Sequence, residues 1–268
     1  MDWHTFHLVF FSPHSIEIKK IMKTIPRRAN PSPRPAVTVS EIEQMVVECH
    51  RNGGKCVLVA CEFSGRERDA FMARGIFAVS CDLLPTDSKC SKGIHYRGDV
   101  RDLLGLGWDM MIAHPPCTYL CSSGLHWCTR KDSEGNLTKK AVERVQLRDE
   151  ALAFVRCLLA APIPRIVLEN PVGCISSQIR KPDQSIQPWQ HGDPESKKTC
   201  FWYVGDVPPL VPTQVLPLPT TGRWANQTPT GQNNLPPSKD RWKLRSTTYR
   251  GIARAMADQW GLILLGNK

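Results

Sequence analysis

From about residue 40 to residue 205, short apolar runs alternate with helix-length segments, and that alternation restricts the chain to a small set of folds. Cys56-Val-Leu-Val-Ala60, Phe77-Ala-Val-Ser-Cys81, Asp109-Met-Met-Ile-Ala113, Arg165-Ile-Val-Leu168 and Cys200-Phe-Trp-Tyr-Val204 read as buried strands. Strands apolar on both faces need cover above and below, and the intervening segments supply it. Ser40 with Glu43 forms a capping-box signature ahead of Met45, Val46 and Val47. A helix over 66–74 is closed by Gly75, and an amphipathic one over about 141–160 carries Val142, Val145, Leu152, Val155 and Leu159. Thr247 to Trp260 reads as a final helix. The expectation is an α/β fold with a mostly parallel sheet and helices on both faces.

Two stretches stand apart. Residues 1–40 carry Lys19, Lys20, Lys23, Arg27, Arg28 and Arg34 against Asp2 and Glu17, and run into Pro26-Arg-Arg-Ala-Asn-Pro-Ser-Pro-Arg-Pro35. They read as a basic, Pro-rich appendage ahead of an α/β domain over 41–268. Residues 206–243, rich in Pro, Thr and Asn, read as a loop-rich insert too short for its own core. The net charge of +10 favours an anionic partner, nucleic acid foremost. Eleven cysteines, an odd number, argue against a closed disulfide framework and for a reducing, cytoplasmic setting. The stretch His7 to Phe11 follows Asp2 rather than a cationic region, so it does not read as a signal peptide. No apolar run approaches the roughly 18–20 residues that a membrane helix needs, so no membrane partner is expected.

Ligands of open parallel sheets sit at the carboxyl ends of the strands. After the first strand comes Glu62-Phe63-Ser64-Gly65, leading into a helix whose N-terminus offers N–H groups and whose glycine lets backbone approach a ligand. After the second sits Asp82, where an acid can accept from both ribose hydroxyls. After a third short segment comes Gly98-Asp99, where Asp99 can accept from an exocyclic amine. No GxGxxG fingerprint is present, which argues against NAD and for an adenosyl ligand without a pyrophosphate. The fourth strand runs into His114-Pro-Pro-Cys-Thr-Tyr-Leu-Cys121, whose prolines stiffen a loop that can hold Cys117 out as a nucleophile. The fifth ends at Glu169-Asn170-Pro171, where burial can raise the Glu169 pKa and let it donate a proton. His114, Cys117, Cys121, His126 and Cys128 lack the paired spacing of a zinc site, so no metal is expected and Cys121 and Cys128 read as packing residues or bystanders.

Pro-Pro-Cys, then Glu-Asn-Pro, behind a Phe-Ser-Gly turn, resembles the DNA cytosine-5 methyltransferase family, most closely its short, phage-encoded members. The likeness runs over about residues 55–205, with a weaker match at about 244–261. It implies a Rossmann-like S-adenosylmethionine-dependent methyltransferase fold and S-adenosyl-L-methionine as cofactor, bound by Phe63, Ser64, Gly65, Asp82, Leu83, Asp99, Val100 and Pro115. It implies Cys117 as nucleophile, Glu169 as acid, and Lys197 and Lys198 at the position of the family's arginine strand. A phage-encoded enzyme of this kind would work in the host cytoplasm. His114 replaces a common glycine, Pro171 a common valine, and Thr118-Tyr119 stand where Gln is common. Gln178-Ile-Arg180 is a competing match for the arginine strand. Substrate contacts are expected from Pro116, Asn170, Arg180, Arg241, Lys243 and Arg245, with Trp224 and Trp242 available to stack on bases.

The expected activity is methyl transfer to carbon 5 of cytosine in double- or single-stranded DNA through a covalent cysteine–cytosine intermediate. Members of the resembled family that read a DNA sequence carry a recognition domain where residues 206–243 stand here, and its lack leaves specificity to loops, the appendage, a partner protein or self-association. The alternatives are the same chemistry on a free nucleotide, RNA or modified base, or with a modified donor, and a nucleic-acid-binding relative without catalysis.

Overall fold

The computed structural model describes residues 37–231 and 233–266. Val37 begins the folded unit, so residues 37–40 belong to it rather than to the basic appendage, and residues 1–36 lie outside the described residues. Seven strands form one sheet: β1 (Cys56–Ala60), β2 (Phe77–Asp82), β3 (Ile94–Arg97), β4 (Met110–Ala113), β5 (Ile166–Pro171), β6 (Gln184–Ile186) and β7 (Thr199–Val204). Their spatial order is β3-β2-β1-β4-β5-β7-β6. β1 to β5 are parallel to one another, and β7 runs antiparallel to both β5 and β6. The sheet is therefore mixed and mostly parallel.

The helices are α1 (Val39–Arg51), α2 (Arg66–Met72), α3 (Ser122–Leu125), α4 (Lys139–Leu159), α5 (Ile175–Gln178), α6 (Arg241–Ser246) and α7 (Arg250–Leu264). Side chains alternate across each strand, and the two faces have separate cores. On one face α1, through Ile42 and Val46, and α4, through Leu152, Val155 and Leu158, cover Leu58, Val79, Met111, Ile166 and Leu168. On the other, Phe71 of α2 and Ile252, Ala255, Met256 and Trp260 of α7 cover Val57, Val59, Met110, Ile112 and Val167. None of the described helices is long and apolar enough to cross a membrane.

Several boundaries differ from the sequence expectation for physical reasons. The first capping box is Thr38 with Glu41, not Ser40 with Glu43. Both frames fit the motif, but only the Thr38 frame turns Ile42 and Val46, four apart, into the core while Met45 and Val47 stay exposed. Val142 is likewise exposed, because the first turns of α4 pass beyond the sheet and bury only Ala141. β5 runs on through Glu169, Asn170 and Pro171, which pair with Phe201, Cys200 and Thr199 of β7. The three-residue β6 has too short a pattern to show in sequence. The last helix starts at Arg250, three residues later than expected.

Candidate active site

The five parallel strands, β1 to β5, deliver polar residues to the same edge. β1 is followed by Cys61, whose φ of 58° makes it the only non-glycine residue in the left-handed region among those described. That turn buries Glu62, whose Oε1 accepts from the Ser64 hydroxyl and from the Arg66 N–H at 3.3 Å. The chain thus fills the start of α2 with its own carboxylate, where the sequence suggested an open anion site. Gly65 (φ 73°) is also required by packing rather than ligand approach, since a Cβ there would lie 2.5 Å from the Arg68 guanidinium and from Ser88 Cβ. Arg68 is fully buried, donating to Ser80 Oγ at 2.8 Å and pairing with Asp69 at 2.8 Å, and so fixes the loop from behind.

The order β3-β2-β1 sets three acids side by side. Glu62 follows β1, Asp82 closes β2, and Asp99 follows β3; Glu62 N–H donates to Cys81 O at 2.9 Å and Gly98 N–H to Asp82 O at 3.1 Å. Burial pushes the Asp82 carboxyl up against its hydrogen bonds from Leu84 and Leu83. Burial, with Glu67 nearby, pushes the Glu62 carboxyl up to about 7. Asp99 instead accepts from Arg101, which lowers it, and caps the turn Val100–Asp102. Phe63, Val100 and Pro115 are buried, and Leu83 is exposed.

The cysteine loop and the acid strand are locked together. Cys121 bridges Gly173, Ser122 N–H donates to Val172 O at 3.0 Å, and Cys174 N–H to Leu120 O at 2.8 Å. A Cβ at Gly173 would stand 1.9 Å from Leu120 O, so only glycine permits this contact. Asn170 donates to Pro115 O at 2.8 Å, joining the strand to the other end of the loop. Arg144 of α4, which the sequence did not single out, donates to Gly124 O at 3.0 Å and Thr118 O at 2.9 Å and lies over Tyr119. Pro116 is exposed at the loop's apex.

Cys117 and Cys121 act on each other's thiols, and Cys121 Sγ lies 3.2 Å from Ser123 Oγ. Cys121, burial and the nearby Glu169 carboxylate push the Cys117 thiol up. The Cys121 thiol falls to about 5, lowered first by Cys117, with help from Ser123, the Gly124 N–H and Arg245. Glu169 reverses the sequence expectation. Burial alone would raise it, but His114, Lys197 and Thr199 outweigh burial and hold its carboxyl below the ordinary range. The carboxylate is ionised at neutral pH.

No protein-family model and no curated protein matches this chain. Its chemistry is therefore read from its own residues.

The basic residues divide. Lys197 Nζ donates to Arg245 O at 2.8 Å and lies near Glu169, while Lys198, on the alternate face of the chain, is exposed. Arg180 is not brought to the site: its guanidinium binds Asp183 at 2.7 Å and Tyr203 O at 2.6 Å, near the opposite end of β7. Arg241 donates to Leu235 O. Lys243 pairs with Asp87 at 2.6 Å and lies 5.5 Å from the Phe63 ring, beside Trp242 at 6.1 Å. Arg66 donates to Thr248 O. The segment 241–249 therefore straps the β1 loop to the Lys197 segment. Beneath it a cavity of about 20 Å³, lined by Glu169, His114, Lys197, Thr199, Thr248 and Tyr249 among others, is the size of one water molecule. Trp224 is buried and stacks on Trp189, so it offers no face to a base.

Proposed function

We propose that this chain transfers a methyl group from S-adenosylmethionine to carbon 5 of a cytosine in DNA, with Cys117 as nucleophile and Glu169 beside ring N3. One observation carries the reading: the Cys121–Gly173 bridge holds the Cys117 loop against the strand that presents Glu169, with Lys197 on the third side. The sheet supports it as well. Its order departs from the 3-2-1-4-5-6 of dinucleotide-binding sheets by a reversed strand next to β5.

The residues present fit an adenosyl ligand. Asp82 and Asp99 stand at adjacent strand ends for ribose and base, and Glu62 Oε2 is buried without a hydrogen-bond partner, an acceptor for an ammonium group. When bound, the donor supplies an electrophilic methyl on a sulfonium. The protein does the rest. Cys117 gives its proton to water, its thiolate favoured by the nearby Lys197 ammonium, and bonds to carbon 6 of the base while the ring electron pair moves toward N3, where a proton is shared with Glu169. Carbon 5, now enamine-like, takes the methyl, loses its proton to a base, and elimination of the thiolate restores the ring. A duplex base must first be flipped out. The small cavity requires the 241–249 strap to move when a base enters. Arg245, exposed beside Cys121, and the exposed Lys198 are placed to meet the phosphate backbone.

Tritium release from carbon-5-labelled cytosine tests this. Wild type is expected to release label from DNA, and Cys117→Ala to release none. Release by Cys117→Ala at the wild-type rate refutes the covalent mechanism. Parallel incubations with single-stranded DNA, RNA and free cytosine nucleotides identify the substrate.

A further inference from the structure

Behind Glu169 the protein buries a histidine that the chemistry above leaves unused. His114 directly follows β4 and is wedged between two acids from different elements. Its Nδ1 lies 3.1 Å from Glu169 Oε2 on β5, and its Nε2 lies 3.1 Å from Glu67 Oε1 on α2. The three side chains are 9%, 15% and 0% exposed, so water does little to screen them. The Glu67 contact is an ion pair off hydrogen-bond geometry, which leaves both Glu67 oxygens and His114 Nε2 without a hydrogen-bond partner. Glu67 gains nothing from its neighbour Arg68, which turns to Asp69 and Ser80. A buried acid held this way is a poor stabilising device, since a buried ion pair offsets its desolvation only when hydrogen bonds complete it.

Cytosine explains what such a group is for. Ring N3 is an acceptor, and an ionised Glu169 has no proton to give it. We propose that His114 is a positioning residue that aims the Glu169 carboxyl at the base and holds, between Glu67 and Glu169, the proton that Glu169 lends to N3. As the thiolate adds to carbon 6 and N3 becomes more basic, one proton leaves His114 Nδ1 for Glu169, and the acid so formed donates to N3. The neutral imidazole keeps its remaining proton on Nε2, toward Glu67. Elimination returns the proton along the same line, so none is gained or lost. The inference rests on the cytosine reading.

The charged groups facing His114 agree with this. Glu67 on α2 and Glu169 on β5 raise the imidazole to about 10 against burial, which alone would lower it. Glu62 after β1 and Asp82 at the end of β2 also act on it as acids. The cations near its partners are Lys197, on the approach to β7, and Arg68, on α2. Four acids against these cations keep the proton on His114 through neutral pH.

The test pairs a readout independent of turnover with one that depends on it. In ¹⁵N-histidine-labelled full-length protein, the resonance absent from His114→Asn identifies His114. Both ring nitrogens are expected to carry protons through pH 8, with titration near 10, falling by at least one unit in Glu67→Gln. In tritium release, Glu67→Gln is expected to keep its KM for DNA, lose kcat about tenfold, and move the alkaline limb of its pH profile down with the histidine. His114→Asn is expected to lose kcat about a hundredfold. A neutral His114 at pH 7 in a wild type that releases label overturns the proposal alone, as does an unshifted pH profile in Glu67→Gln. A wild type that releases no label overturns the cytosine reading and the proton-lending role with it, while the resonance still decides whether the bridge exists. If His114→Asn does not fold, Glu67→Gln and the wild-type titration decide the matter.

Discussion

Asp109 and Glu67 are both acids that the same sheet draws out of water, at opposite ends. Asp109, at the amino end of β4, is saturated: Lys55 Nζ lies 3.0 Å from Oδ1, and His50 Nε2 and the Cys56 N–H lie 2.9 and 2.8 Å from Oδ2. Burial would raise its pKa, but these donors outweigh burial and lower it. At the carboxyl end, Glu62 Oε2, both Glu67 oxygens, His114 Nε2 and Asn170 Oδ1 are buried without hydrogen-bond partners. A buried polar atom left unpaired costs about 1–3 kcal/mol, so one end of the sheet consumes its polar groups in holding the fold and the other holds its groups in reserve. Reserve of this kind is the ordinary mark of a site that trades stability for chemistry.

The sharpest way to break the comparison is to remove a reserved acid. The Glu62 pKa is raised to about 7 in the folded protein against 4.5 in the unfolded chain. Between those values the folded state binds more protons, so stability falls as pH rises from about 4.5 to 7, by up to about 3 kcal/mol. Glu62→Gln removes that loss. Urea unfolding is expected to show the variant more stable than wild type at pH 8 and no more stable at pH 4.5. A variant less stable at both pH values would put Glu62 in the same class as Asp109.

Asp109→Ala is the converse, with a somewhat smaller effect. Lys55 and His50 can turn to water, which leaves the buried Cys56 N–H stranded and costs about 2 kcal/mol. For a folded unit of this size that is about 4–8 °C in thermal midpoint. Label release per folded molecule should not change. A fall in turnover to match the fall in stability would show that the two ends are not separable.

How much of this the sequence carried follows from the range of the forces involved. β1 and β2 were legible to within a residue because continuous apolar runs between glycines mark buried strands locally. The Cys117 and Glu169 loops were legible because each directly follows such a run. The frame of the first capping box was not, since two overlapping boxes fit and only packing against the sheet chooses. Arg180 competed with Lys197 as sequence, and only the hairpin of β6 and β7 shows that Asp183 closes onto Arg180. The His114 cluster had no local signal at all: its acids lie on α2 and β5, and they meet only when β1, β4 and β5 assemble in that order. Trp224 looked available because aromatics interleaved with cations do so often, yet its partner Trp189 lies across the insert.

The comparison extends to cysteine pairs, where the effect is on reactivity alone. The amino end holds Cys49, whose thiol donates to Lys55 O at 3.6 Å, and Cys56, whose thiol donates to Val46 O at 3.8 Å; burial, with Cys49 and Asp109, pushes the Cys56 thiol up. The carboxyl end holds Cys117 and Cys121, and there Cys121 drops to about 5 while remaining half-buried and open at the rim. The thiolate, not the thiol, reacts with alkylating agents, so at pH 7 iodoacetamide is expected to label Cys121 well before Cys56. Peptide mass spectrometry over a time course measures the order. Cys121→Ser should slow subsequent label release by a few fold only, because a serine hydroxyl can still accept a hydrogen bond from Cys117. Equal labelling of Cys56 and Cys121 would mean that the carboxyl end holds no thiolate in reserve, and the contrast between the two ends would then rest on the acids alone.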